Sequence, residues 1–222
     1  MNPPPALTET EVMQRQFAGI RDVLLKMNGV LNAPQAAGTD PRTIASFKDG
    51  VFCFELAMTF YEEANNALQA GAWFAAASIG SSALESVLMS KCFFQEAEVR
   101  AIPTFQKLQP KHKGDFGLFA RSLALGKLLE IADELAWFPG GGIPKTLVII
   151  FGHYLDEGTL AGLDRIFEAS PNVGQVCAKY VRERRNLLHP AVCLKEGRQP
   201  SKDVGMTATL LFLIAFVSLA KA

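Results

Sequence analysis

The chain has 222 residues, 49% of them hydrophobic, which is enough for one sizeable core and too apolar for an intrinsically disordered polypeptide. Lys+Arg and Asp+Glu each number 22, a formal net charge of +0, so no global field draws the protein onto nucleic acid or an anionic membrane, and any RNA contact has to be local. Cys53, Cys92, Cys177 and Cys193 show neither CxxC spacing nor histidine partners, which argues for reduced core thiols against a disulfide framework, and against a metal site.

In chain order, Met1-Asn2-Pro3-Pro4-Pro5 lacks the basic start, apolar run and small-residue cleavage site of a signal peptide. The expected location is therefore cytoplasmic, and residues 1–8 are expected to be a disordered proline-rich tail. Thr8 and Glu11 read as a capping box, and Val12, Phe17, Ile20, Val23, Leu24, Met27 and Leu31 recur at helical spacing. They predict a long N-terminal helix over 9–32, followed by a flexible connector over 33–42 rich in Pro and Gly. Phe47, Val51, Phe54, Met58, Tyr61 and Leu68 predict a second helix over 43–69, which Gly71 ends.

A third helix over 72–94 carries Ala75, Ala76, Ala77, Ser78, Gly80, Ser81, Ser82 and Ala83. Residues this small let neighbouring helices approach closely, so it is expected at the centre of the bundle. Glu85 within it is either a solvated helix position or a buried carboxylate bracing Arg184 or Arg185, since a buried charge needs a partner.

Pro103, Pro110 and Gly114 make 101–115 read as a loop, in which Lys107, Lys111, His112 and Lys113 form either a solvated charge run or an RNA-backbone contact. A single amphipathic helix is predicted over 116–137. The Gly140-Gly141-Gly142 stretch after it follows no strand and lacks Gly-Lys-Ser/Thr, so it reads as a hinge or turn and not a phosphate loop. Further helices are expected over 146–154, where His153 reads as structural, and over 156–168 and 173–189, with a polar turn over 191–201. Residues 204–220 are almost continuously apolar but fall short of the ~20 residues a bilayer core needs and include Gly205, Thr207, Thr209 and Ser218. A buried apolar C-terminal helix is the expectation, with a membrane anchor as the minor alternative. No strand alternation persists, so the fold class is all-α, a helical bundle forming one domain over 9–222.

The chemistry concentrates in Tyr180-Val181-Arg182-Glu183-Arg184-Arg185-Asn186-Leu187-Leu188-His189-Pro190. At ~100° per residue, Arg185 and His189 share a helix face, Asn186 lies close to it and Arg184 further round. Pro190 disfavours continuation of the helix, which places the imidazole of His189 at a helix end, where its polar atoms can reach a groove.

Arg-Asn-Leu-Leu-His-Pro, between a helix and a last apolar helix, resembles the signature of HEPN-type domains, all-helical modules of bacterial toxins, CRISPR-associated ribonucleases and other defence proteins. Residues 76–88, with Glu85, are similar to the second helix of several members. The family motif is arginine, usually a polar residue, then histidine after four to six intervening residues; Arg184 gives that spacing to His189, while Arg185 gives the Arg-Asn start in a shortened variant. The resemblance implies a HEPN-like fold and a metal-independent endoribonuclease that acts as a homodimer, without metal or cofactor, in a toxin–antitoxin or defence setting. It implies His189 as general acid or base, Arg184 or Arg185 as phosphate stabiliser and Asn186 as orienter. Lys179, Arg182, Lys111 and Lys113 are the candidate RNA contacts. RNA, a second copy, and an antitoxin or nucleotidyltransferase-type protein are the implied partners. The alternative is a non-catalytic HEPN-like module that binds RNA, nucleotide or a protein.

Overall fold

A computed structural model of the chain describes residues 41–112, 114–138, 157–158, 161–162, 165, 172–186 and 202–220, all within the compact unit Ala37–Ala222. Among the described residues the regular elements are helices, α1 (Pro41–Gln69), α2 (Trp73–Phe94), α3 (Glu96–Ala101), α4 (Pro103–Leu108), α5 (Phe116–Arg121), α6 (Leu125–Glu134), α7 (Val173–Asn186) and α8 (Lys202–Ala220), with a 3₁₀ turn at Gln109–His112. The predicted helices over 9–32 and 146–154, the proline-rich tail, most of the predicted helix over 156–168, the glycine stretch, the polar turn over 191–201, His153 and Cys193 lie outside the described residues.

Helix α1 begins at Pro41, so the last two positions of the predicted connector are helical. Proline is suited to the first helical position, where its missing N–H has no intrahelical acceptor in any case. Cys53, Phe54, Ala57, Tyr61, Ala64 and Leu68 bury one stripe of this helix. It ends when Gly71 turns to φ 73° while the amides of Gly71 and Ala72 reach back to the Leu68 and Ala67 carbonyls.

Helix α2 is central, packing against α1, α5, α6, α7 and α8. Its small residues do what their size suggests: Ala76, Ala77, Gly80, Ser81 and Ala83 are buried. A Cβ on Gly80 would stand 2.7 Å from the fully buried ring of Phe212 on α8. The register against α1 is set by Ser90 Oγ, which donates to the Gly50 carbonyl at 2.8 Å.

Two sequence expectations need correction. The segment 101–115 is not a plain loop. Ile102 is extended, as a residue before proline prefers, and Pro103 then starts a short helix where a helix breaker was expected. Val99, Ile102 and Phe105 are buried, and the Arg100 guanidinium lies 5.4 Å from the Phe105 ring and 5.1 Å from the Phe116 ring. Apolar anchors at this spacing outweigh the punctuation by proline and glycine.

The predicted helix over 116–137 is likewise two helices, α5 and α6. Asp115 caps the first by accepting from the Leu118 N–H at 2.9 Å. Ser122 Oγ then donates to the Phe119 carbonyl at 2.7 Å, and the Ser122 and Leu123 amides close tight turns onto Phe119 and Ala120. Leu123 and Leu125 are both buried across the break, so it redirects apolar side chains inward on either side of the bend.

Helix α6 ends with the same pattern of reach-back bonds as α1. The amides of Ala136 and Trp137 bond the Asp133 and Ala132 carbonyls, but the left-handed position at φ 51° is held by an alanine. Exposed Ala136 makes no packing contribution that glycine would forfeit. Relief of the left-handed strain exceeds the extra unfolded-state entropy of glycine. Ala136→Gly should therefore stabilise the protein by about 0.5–1 kcal/mol; a lower denaturant midpoint for the variant would contradict this.

Trp137 swings back beneath the end of α2, its indole N–H donating to Gln95 Oε1 and its ring 5.8 Å from the Lys91 ammonium. Lys91 is only 9% exposed, and burial lowers its pKa from the ordinary 10.5. A depressed lysine pKa means that the folded state disfavours the charge. The penalty is complete at neutral pH and is released as pH rises through the folded pKa towards 10.5. In chemical denaturation, wild type should gain stability relative to Lys91→Met over that rise; parallel stability–pH curves would show that the ammonium carries no such penalty.

Helix α8 closes the core. Leu210, Leu211, Phe212, Leu213, Ile214, Ala215 and Phe216 are all buried, and Phe216 stacks on Tyr61 at 5.4 Å. Among the described residues no helix is long and apolar enough to cross a membrane.

Candidate nucleic-acid interface

The candidate site is carried by α7, whose rotation in the bundle is fixed from its first turn. Asn172 caps it, its Oδ1 accepting from the Gln175 N–H at 3.2 Å, and the buried Gln175 side chain donates to the Leu129 carbonyl of α6 at 3.0 Å. Val173, Cys177, Ala178 and Val181 face the core, which leaves Lys179, Arg182 and Glu183 exposed. The helix therefore presents a charged face to solvent along α6.

Arg182 lies against the start of α6. A Cβ on Gly126 would stand 2.8 Å from its Cζ and 2.9 Å from its Nε, so the guanidinium occupies space left free by the missing side chain. On the neighbouring residue, Glu85 Oε1 accepts from the Leu125 N–H at 3.1 Å. Half-buried Glu85 is thus not a plain solvated position, and the alternative, that it braces Arg184 or Arg185, falls on side chains outside the described residues. Glu85 satisfies a first-turn amide of α6, and its negative charge suits the positive end of that helix.

The predicted contacts distribute around α6. Lys179 reaches Asp133 near the far end of the helix, 3.4 Å away, with both groups more than half exposed; such a pair holds little energy and leaves the lysine able to exchange partners. Asp133 therefore pairs with this lysine. Lys111 is exposed on the 3₁₀ turn, and beside it His112 packs edge-on to Phe119 and places Nε2 3.2 Å from Ser122 Oγ. His112 and Arg182 thus rest on either side of the bend between α5 and α6, at Ser122 and Gly126. Lys113 lies outside the described residues.

Arg184, Arg185 and Asn186 form the last turn of α7, with Asn186 one turn beyond Arg182 and Arg185 one turn beyond Val181. The side chains of these three residues, and Leu187 to Pro190 with His189, lie outside the described residues. No family model, curated protein or solved structure matches the chain.

Cys53, Cys92 and Cys177 are buried and unbridged, and burial raises all three thiols, Cys53 to about 11. Thiols held so firmly protonated are poor nucleophiles. Among the described residues no group of His, Cys, Asp or Glu has the arrangement to hold a metal ion. Gly126 and the capping role of Glu85 were not singled out from sequence. A glycine inside a helical pattern does signal close approach of another group, whereas nothing local to Glu85 points to an amide that lies 40 residues away.

Proposed function

We propose that the chain is a HEPN-like, metal-independent endoribonuclease that works as a homodimer in a toxin–antitoxin or defence setting. The observation that carries the reading is the basic run of α7: Arg182, exposed and seated at the start of α6, leads within one turn into Arg184, Arg185 and Asn186, with His189 following in sequence after Leu187 and Leu188. In this mechanism the 2′-hydroxyl of RNA attacks the adjacent phosphorus, the bond to the 5′-oxygen of the next nucleotide breaks, and a cyclic phosphate and a free 5′-hydroxyl result. His189 moves the proton, a role for which the ordinary histidine pKa of about 6.5 is suited. Arg184 or Arg185 stabilises the charge that builds on the phosphate, using a planar fork that stays protonated. Asn186 orients the imidazole or the phosphate. Lys179, Arg182, Lys111 and Lys113 hold flanking phosphates without reading sequence. A two-fold dimer presents two copies of the motif to one strand.

The test is RNA against the same strand carrying a 2′-deoxy nucleotide at the cleaved position. Wild-type protein in EDTA should cut the first and leave the second intact at that position; equal cleavage of both would overturn the mechanism. A second reading, a non-catalytic HEPN-like module binding RNA, nucleotide or a protein, is favoured by the net charge of +0 and by the three residues between Arg185 and His189. It expects retention of such a partner by the purified protein without turnover.

A further inference from the structure

We draw no further inference here: the strongest candidate, the exposed apolar patch of Phe52 on α1 and Leu118 on α5, each one helical turn from the Asp49–Arg121 ion pair, carries nothing because nothing in the structure shows what covers it.

Discussion

Gly174→Ala should destabilise the protein by about 1–3 kcal/mol, while the same change at Gly162 should be neutral or stabilising. Both glycines are helical, and alanine improves the intrinsic helix propensity of either by up to ~1 kcal/mol. Their surroundings differ. A Cβ at Gly174 would stand 2.5 Å from the Cβ of Ser218 and 2.8 Å from Cδ1 of Phe138, whereas one at Gly162 meets none of the described residues within 4 Å. The Ser218 Cβ is fixed to the backbone of α8 and moves only if that helix moves, and Phe138 is 1% exposed. Overpacking therefore has to separate α7 from α8. Against a typical domain stability of ~5–15 kcal/mol, that is a substantial fraction. Denaturant midpoints of the two variants decide the matter, and a Gly174→Ala protein as stable as wild type would show that the helices are not in such close contact. Because α7 carries the candidate site, the same variant should also weaken any activity that depends on the motif.

The helical class was legible because apolar positions recur at helical spacing along most of the chain, and the small-residue run of α2 announced its central place. The two misread segments show what periodicity lacks. It registers Leu118, Phe119, Leu123 and Leu125 as one apolar pattern and does not see that Ser122 bonds its own preceding turn and bends the chain. It registers Pro103 as an interruption, although Phe105 two residues later is buried against Phe119 with ring centroids 4.7 Å apart. The basic face of α7 was readable from Lys179 and Arg182. What Arg182 rests on was not, because Gly126 is distant in sequence and a vacant Cβ position leaves no mark in a composition.

The larger functional effect is expected at His189. Replacing it with alanine removes the proton-transfer group and leaves phosphate binding by the arginines in place. General acid–base catalysis typically contributes ~10²–10⁴-fold, so cleavage should fall by at least ~100-fold while RNA affinity changes little. Were His189 only a helix terminator, Pro190 would still end the segment and cleavage would persist.

The most direct measurement is the rate of RNA cleavage in EDTA by wild-type and His189→Ala protein at matched melting temperature. The expected result is metal-independent cleavage by the wild type and its loss, by at least ~100-fold, in the variant. Equal rates for the two proteins, or no cleavage by either, would contradict the assignment of α7 and His189 as a ribonuclease site.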